Sequence, residues 1–555
     1  MLARLLSALG LAALALTCAA PVPAQTPADD PKWGLSAHGV RGHMAFLADD
    51  LLEGREAGTR AEQVAGLYIA SQFETFGLEP AGTEGYRQPF AVRAARLERG
   101  SVALTVRGAD DETRFPNGGD IAAYAHAHIA EQRLDDAEVV FAGHGIVAPE
   151  FDVDDYAGLD VAGKIVAVIS GPAPFLPADE AAHLAGSGVQ RATAQARGAI
   201  GVLFLWSPAN EQRWPFHRFK TVLWNTDLSL AEHAETPQPG DALASAFVRG
   251  AAIEALFAGA PRSYATLLGE AETAPVIGFP LQARVDFTRR SVHDDGFEAL
   301  NVLGLLPGSD PDLAREVIIV SAHFDHVGVG LPVNGDAIYN GAGDNALGVA
   351  IMLEIARALA QAEVKPRRSI LFAAVGAEEK GLLGSTYLAR NPTLAADRLV
   401  GNINIDGALT FYDFADLIAW GAEHSTLQRR IETVLDDLGM SLSPDPFPQE
   451  AIFTRSDQYS FIREGVPGAF LFNGFHDLAG ENVGLAKWRH MTRTFLHKPS
   501  DQLGTLPLDW PATAKFADIA RRIVLETANH DERPLWFADS TIADRFAPDA
   551  PRATR

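Results

Sequence analysis

The stretch VIIVSAHFDH, residues 317–326, is the segment that best predicts the fold class of this chain. Its first six residues form an almost continuous apolar run, which is typical of a strand buried on both faces. A helical pattern follows at 346–360, and further apolar runs lie at 370–375, 399–405 and 469–472. Strands and helices that alternate in this way predict an α/β fold with a mostly parallel twisted sheet flanked by helices.

Polar residues stand where these predicted strands end. His323 and Asp325 follow the first run, Glu378 and Glu379 follow the second, and Asp406 follows the third. In open α/β sheets, ligands bind just beyond the carboxyl ends of the strands. We therefore expect these side chains to meet at one rim of the sheet.

Two loops add further candidates, Asp344 in NGAGDNALG (340–348) and His497 in FLHKPSD (495–501). Alone, an Asp before a helix is most often its N-cap, and a His at a strand end is most often a core residue. Together, nitrogen and carboxylate donors without sulfur suit zinc, with cobalt or manganese as substitutes. A carboxylate can bridge two such ions, so the set predicts a metal site.

Several segments resemble the successive motifs of the di-zinc exopeptidase family, which includes secreted bacterial aminopeptidases, glutamate carboxypeptidase and, more distantly, glutaminyl cyclase. The segments that carry this resemblance are AHFDHVG (322–328), AIYNGAGDNALGVAIMLEIAR (337–357), FAAVGAEEKGLLGS (372–385), NINIDG (402–407), TRSDQYSFIREGVP (454–467) and LHKPSDQ (496–502). LADDLLEGREAGT (47–59) resembles the N-terminal helices of that family. Residues 140–171 resemble the protease-associated domain that some members carry as an insert.

The resemblance implies a role for each candidate residue. One zinc ion would take His323 and Asp406, a second would take Glu379 and His497, and Asp344 would bridge the two. Glu378 would be the general base. Asp325 would orient the imidazole of His323, and His326 would have a supporting or structural role. The resemblance also implies a cis peptide bond between Asp344 and Asn345.

The chain divides into five predicted segments. Residues 1–24 resemble a secretory signal peptide, because Arg4 precedes an apolar stretch too short to span a bilayer. The one cysteine, Cys18, lies inside it, so the mature chain would be free of cysteine and suited to secretion or to the bacterial periplasm. The other segments are an N-terminal part of the peptidase domain (25–130), a protease-associated insert (131–285), the zinc peptidase domain (286–532) and a C-terminal tail (533–555). We expect the tail to be loosely packed.

Charge and hydropathy exclude some partners. The 555 residues carry a net charge of −25 with no run of Lys or Arg, whereas nucleic acids and anionic membranes require a positive surface. Beyond the leader, no apolar run is long enough to cross a membrane. Peptides are the predicted substrates.

An aminopeptidase is the predicted activity, and a carboxypeptidase on the same site is the alternative. A carboxypeptidase needs a cation for the terminal carboxylate, for which Arg455 or Arg463 would serve. An aminopeptidase needs an acid for the ammonium group, for which Glu423 or Asp457 would serve. A glutaminyl cyclase-like enzyme and a binding protein without activity are weaker alternatives, because the full set of metal ligands and the base are present.

The residue before the last histidine departs from the family pattern. Some members have a Tyr there that supports the oxyanion, whereas this chain has Leu496. Tyr459 is the candidate substitute, with a core position as the alternative.

Overall fold

The computed structural model describes residues 32–108, 111–219, 223 and 225–555, so the predicted signal peptide lies outside the described part. The described chain forms two large sheets that share one long strand, Phe279–Leu306. The first half of this strand pairs in one sheet and its second half pairs in the other. We call them the second sheet and the main sheet.

The main sheet has four parallel strands at its centre. Val317–His323 pairs with Ser369–Val375 on one side and with Leu399–Ile405 on the other, and Leu399–Ile405 pairs with Gly468–Asn473. Every residue of these strands is buried, because helices cover both faces. Antiparallel pairs extend the sheet on both sides. The predicted α/β fold is confirmed, with the parallel pairing confined to the centre.

Shorter strands complete the main sheet and form small hairpins. The other main-sheet strands are Glu79–Pro80, Arg87–Leu97, Asp227–Leu230, Asp416–Trp420 and Ser441–Leu442. The small two-stranded sheets pair Val147–Ala148 with Val153–Asp154, Gly328–Val333 with Asp336–Tyr339, and Trp536–Phe537 with Arg552–Ala553.

The second sheet lies mostly within the middle segment, the predicted insert at 131–285. It also takes up chain before residue 131, so its own apolar core draws on both parts. Its strands besides the shared one are Ala103–Arg107, Glu112–Pro116, Ile121–Ala122, Glu131–Phe141, Ile165–Ile169, Gly201–Leu205 and Ala244–Val248. The segment boundaries at 131 and 285 stay predictions.

The N-terminal stretch from 38 to 78, predicted as helical, is two α-helices separated by a 3-10 segment, Asp50–Arg55. Glu53 and Gly54 have positive φ angles of 44° and 71°, which interrupt a right-handed helix between the two. The second helix, Arg60–Phe76, begins at Thr59, whose side chain accepts from the backbone N–H of Glu62, and it ends at Gly77 with φ 81°.

Helices occupy the segments between the strands. Those of the main-sheet region are Ala37–Leu47, Arg60–Phe76, Leu347–Gln361, Leu383–Arg390, Leu427–Leu438, Gln458–Arg463, Gly484–Thr494, Trp510–Asn529 and Thr541–Phe546. Those of the middle segment are Ala178–Leu184, Ser187–Ala196, Pro208–Arg213, Glu232–Glu235, Gly250–Leu256 and Tyr264–Ala271. Within the described residues, no helix has both the length and the apolarity that a membrane crossing requires.

The last residues, 533–555, are not a loose tail, so that expectation was wrong. Trp536 and Ile542 are buried in a small apolar cluster with Phe453 and Ile462. The indole N–H of Trp536 donates to the carbonyl of Gly465 at 3.1 Å. The polar, Pro-rich composition suggested a segment without a core of its own. These few apolar side chains are nevertheless sufficient to pack the segment against the rest of the domain.

Candidate metal centre

Two neighbouring parallel strands and one loop bring the first group of candidate ligands together. His323 is the last residue of its strand, and Asp406 directly follows the strand Leu399–Ile405. The Nε2 atom of His323 lies 3.1 Å from Oδ1 of Asp406 and 3.2 Å from Oδ1 of Asp344. The hydroxyl of Ser456 donates to the other Asp406 oxygen at 2.6 Å and so fixes that carboxylate.

Asp344 lies between two histidines. Its second oxygen, Oδ2, is 3.1 Å from Nε2 of His497. The loop that carries Asp344 turns at Gly341, where φ is 59° and an added Cβ would lie 2.3 Å from the Asp344 carbonyl oxygen, so a side chain is excluded there. The Asp344–Asn345 peptide bond is cis, as the resemblance implied.

Glu379 contacts two histidines through different oxygens. Its Oε2 lies 3.1 Å from Nε2 of His497, and its Oε1 lies 2.8 Å from Nδ1 of His326. His326 is fully buried, whereas His497 is 39% exposed and approaches from the side of the solvent. His497 also reaches Asp344, so it is the better placed of the two histidines to share a ligand position with both carboxylates. His326 lies beside the other carboxylate oxygen of Glu379, Oε1.

Glu378 and Glu379 are neighbours in sequence but reach different groups. The strand ends at Val375, and Ala377 has a φ of 55°, so the following residues form a turn. The two carboxyl groups have different neighbours: Oε2 of Glu378 is 4.0 Å from Nε2 of His323, whereas Oε2 of Glu379 is 3.1 Å from Nε2 of His497.

Asp325 stabilises this turn. Its two carboxylate oxygens accept from the backbone N–H groups of Glu378 and Glu379 at 3.0 Å and 3.3 Å. Oδ1 of Asp325 lies 3.7 Å from Nδ1 of His323, and its carbonyl oxygen is nearer, at 3.2 Å. Asp325 is fully buried, which agrees with a supporting position, and it acts on the two glutamates as well as on the imidazole.

The carboxyl groups of the cluster differ in the direction in which their pKa values are shifted. Burial raises the pKa of the Glu378 carboxyl well above its ordinary value. Burial also acts to raise the pKa values of Asp344 and Glu379, but neighbouring histidines outweigh it. His323 and His497 hold the pKa of Asp344 low, and His497 and His326 hold the pKa of Glu379 low. Of these three carboxyl groups, Glu378 is therefore the one that takes up a proton most readily.

Arg55 is a functional neighbour that the sequence reasoning missed. Its guanidinium is completely buried and donates to the carbonyl oxygens of Phe324 at 2.7 Å, Asn340 at 2.6 Å, Gly341 at 3.0 Å and also Leu47. It thereby holds the chain on both sides of the site. The signal was present in LADDLLEGREAGT, which was noted only for its helices.

Asp501 was missed as well, although it stands within the motif LHKPSDQ. Its two oxygens accept from the backbone N–H groups of Gly343 and Asp344 at 2.8 Å and 3.1 Å. Burial raises the pKa of Asp501 to about 6. The segment that carries His497 is in this way attached to the loop that carries Asp344.

The donor set fits zinc. Two ligand atoms at about 2.0–2.1 Å from one tetrahedral ion lie roughly 3.3 Å apart, and the nitrogen–oxygen distances in the cluster are 3.1–3.2 Å. The cluster contains nitrogen and carboxylate oxygen donors, which zinc accepts. Asp344 belongs to both groups of candidate ligand atoms, one with His323 and Asp406 and one with His326 and Glu379. His497 stands beside the second group.

A cavity of about 870 Å³ opens onto this cluster. Arg455 and Arg463, the candidates for a carboxylate, line it. Asp457, a candidate for an ammonium group, is fully buried and does not line it, and burial raises its pKa to about 7. Glu423, the other acidic candidate, is also absent from the lining.

Tyr459 lines the cavity, as does Leu496. The Tyr459 hydroxyl lies 2.5 Å from Nδ1 of His183 in the middle segment, so it already has a hydrogen-bond partner. The same segment contributes Trp214 and Arg218 to the cavity wall. The middle segment thus shapes the cleft.

Part of the chain matches a protein-family model. Residues 301–524 match the model described as peptidase family M28. A probable zinc metalloprotease of Pyrenophora tritici-repentis is 38% identical over 106 residues, which are 19% of this chain and 21% of that protein. A probable leucine aminopeptidase 2 of Aspergillus fumigatus is 32% identical over 181 residues, 31% of this chain and 33% of that protein. The chain therefore spans between a fifth and a third of the length of these curated relatives.

Among solved structures, the aminopeptidase from Aneurinibacillus sp. strain AM-1 has a similar fold, with a TM-score of 0.52 and 20% sequence identity. The similarity covers 90% of this chain and 95% of that chain. The family resemblance and the fold class predicted from the sequence are both confirmed by these matches.

Proposed function

We propose, from the match of residues 301–524 to the peptidase family M28 model, that the protein is a two-zinc aminopeptidase that removes N-terminal residues from peptides. One observation carries the proposal. The two oxygens of Asp344 face the Nε2 atoms of two different histidines, at 3.2 Å for His323 and 3.1 Å for His497. A carboxylate in this position would be able to bridge two ions.

The residues divide into two ligand groups around Asp344. His323 and Asp406 would hold one zinc ion, and Glu379 and His497 would hold the other. Bound zinc supplies a Lewis acid that polarises a carbonyl oxygen and lowers the pKa of water from about 15.7 to about 7.

Glu378 would move the proton. Its carboxyl group lines the cavity and stands 4.0 Å from Nε2 of His323 without being part of either ligand group. It would accept a proton from the attacking water and return it to the leaving amine. Asp325 holds the backbone N–H of Glu378 at 3.0 Å, so the carboxyl group is presented in a constant position.

The metal content and the end-specificity test this proposal together. The zinc-replete protein should contain two zinc ions per chain. It should hydrolyse peptides with a free N-terminus and leave N-acetylated copies of the same peptides intact. A single ion in saturating zinc would contradict the two-metal site, and hydrolysis of the acetylated copies alone would contradict the aminopeptidase.

The roles of the two glutamates are tested by matched substitutions. Glu378→Gln keeps the shape of the side chain but not the proton acceptor, so turnover should fall by about 10²- to 10⁴-fold with both zinc ions retained. Glu379→Gln should lose one zinc ion and regain part of its activity in excess zinc. The opposite pattern of zinc loss would reverse the two roles.

A carboxypeptidase on the same site is the second candidate function. The observation that favours it is the position of Arg455 and Arg463 in the cavity wall, whereas Glu423 and Asp457 do not line the cavity. Peptides with a blocked N-terminus and a free C-terminus would be the substrates in that case, and the same panel separates the two activities.

We also propose that residues 1–24 direct export of the protein to the periplasm or the medium. The apolar stretch after Arg4 and the small residues before Gln25 support this. A mature N-terminus at Gln25, measured by mass spectrometry on protein from the cell envelope, is the expected result, and an uncleaved chain in the cytosol would contradict it.

A further inference from the structure

The cavity wall away from the metal centre is rich in arginine. The chain as a whole has a net charge of −25, and yet the acids that line the cavity besides the candidate metal ligands and Glu378 are Glu450 and Asp501, and Asp501 is bonded to the loop that carries Asp344. The arginines of the wall are Arg213, Arg218, Arg455, Arg463, Arg489 and Arg493. Local charge opposite to that of the whole molecule indicates an anionic ligand.

Two parts of the chain contribute to this wall. Trp214, in the middle segment, has the Arg218 guanidinium 4.9 Å from its ring centroid and the Arg455 guanidinium 5.9 Å from it. Arg455 belongs to the main-sheet region, directly before Ser456, which binds the Asp406 carboxylate. The indole ring thus has a cation from each of the two parts of the chain within 5.9 Å of its centroid.

Arg213 attaches the middle segment at this place. Its guanidinium donates to the carbonyl of Gln449 and lies 3.9 Å from the carboxylate of Glu450. Burial lowers the pKa of Arg213, Glu450 acts to raise it, and the positive charge of Arg455 acts to lower it. Glu450 is therefore already engaged with Arg213, and Arg455 repels that same guanidinium.

Arg489 and Arg493 also line the cavity. They stand four residues apart on the helix Gly484–Thr494, so they share one face, and like charges at this spacing destabilise a helix. In the described part of the chain, neither guanidinium forms an ion pair with a carboxylate. A bound anion would relieve this repulsion.

We propose that this arginine-lined wall is a subsite for a carboxylate of the peptide substrate, carried by an acidic side chain or by the C-terminus. The inference rests on the proposed peptidase function and adds a substrate class to it. Peptides with a carboxylate near the scissile bond would be bound by Arg455 together with Arg489 and Arg493. The middle segment would complete the subsite through Trp214 and Arg218.

Pairs of isosteric substrates test the subsite on the full-length, zinc-loaded protein. Leu-Glu-amide should have a kcat/KM about 10-fold above that of Leu-Gln-amide, the usual worth of a charge-assisted hydrogen bond. Leu-Ala and Leu-Ala-amide form the second pair, which reports on a terminal carboxylate. Whichever pair shows the preference identifies the source of the carboxylate, and the preference should shrink as salt is raised.

Substitution then assigns the effect to the wall. Arg455→Gln and Arg489→Gln should each reduce the ratio of acidic to neutral kcat/KM by about 10-fold. Arg284→Gln is the control, since Arg284 is an exposed arginine of the second sheet that pairs with Asp136 at 2.9 Å outside the cavity. It should leave the ratio unchanged.

A binding measurement separates failure of the subsite from failure of the peptidase proposal. Calorimetry on metal-free, full-length protein compares N-acetyl-Glu-amide with N-acetyl-Gln-amide, and the acidic compound should bind about 10-fold more tightly unless Arg455 is replaced. Equal binding of the two compounds, or equal kcat/KM within both substrate pairs, would overturn the subsite. Preferential binding of the acidic compound without hydrolysis of any peptide would keep the subsite and refute the peptidase.

Discussion

Replacement of Arg55 should weaken both the fold and the zinc site, although no part of Arg55 is a metal ligand. Its side chain is fully buried and donates to four backbone carbonyls. Phe324 lies between His323 and Asp325, and Gly341 opens the loop that carries Asp344. One guanidinium therefore holds the two chain segments that position the bridging carboxylate and the first histidine.

The size of the effect follows from the number of carbonyls left without a donor. Burial lowers the pKa of Arg55 only to about 10, so the group is charged at neutral pH. Each buried carbonyl without a partner costs about 1–3 kcal/mol, and entry of water reduces the sum. We expect Arg55→Met to lower the free energy of unfolding by about 4 kcal/mol, and Arg55→Lys by about 2 kcal/mol, because one ammonium group reaches fewer of the carbonyls.

Urea unfolding of the metal-free protein, followed by tryptophan fluorescence, measures the change in stability, and zinc titration measures the dissociation constants. Arg284→Met, at an exposed position, is the matched control and should change stability by less than about 0.5 kcal/mol. The reasoning would be refuted if Arg55→Met lost less than about 1 kcal/mol and bound zinc as tightly as the unchanged protein.

Three further results are expected. His497→Ala should lose one zinc ion per chain, whereas His326→Ala should keep both ions and bind them more weakly. Metal analysis after dialysis distinguishes the two variants. Loss of an ion only from His326→Ala would mean that the roles of the two histidines are exchanged. Chelation of the metal should lower the melting temperature, and added zinc should restore it. At a free zinc concentration of a hundred times the dissociation constant, each occupied site adds about 2.7 kcal/mol to the free energy of unfolding. An unchanged melting temperature would argue against a metal site formed by these residues. Burial acts to lower the pKa of His424, but the hydrogen bond to Asp179 at 2.9 Å outweighs it and raises that pKa above its ordinary value of 6.5. The pair therefore stabilises the fold fully below about pH 6.5, and this stabilisation is lost as pH rises through the raised pKa. Asp179→Asn should lower the free energy of unfolding more at pH 6 than at pH 9. An equal loss of stability at the two pH values would refute this prediction.

Residues at the strand ends were predictable because their position needs little tertiary information. The carboxyl ends of neighbouring parallel strands meet at one rim whatever the loops do, so His323 and Asp406 were expected together, and they lie 3.1 Å apart. Glu379 could be placed by the same reasoning. Residues from loops, such as Asp344 and His497, required the family resemblance, because the spacing of a loop residue does not determine where it folds.

Tertiary structure alone decided the supporting groups and the cavity wall. Arg55 donates to carbonyls that lie 269 to 286 residues away in the chain, and no local pattern reports a contact of that range. Trp214 reaches the cavity because the middle segment folds back onto the main-sheet region, where Arg213 bonds to Gln449. Local sequence determined the strands and the residues at their ends, since apolar runs and strand polarity are local properties. Two features depend instead on packing between elements that are far apart in the sequence. One is which distant backbone carbonyls a buried guanidinium binds, and the other is which segment closes the cleft.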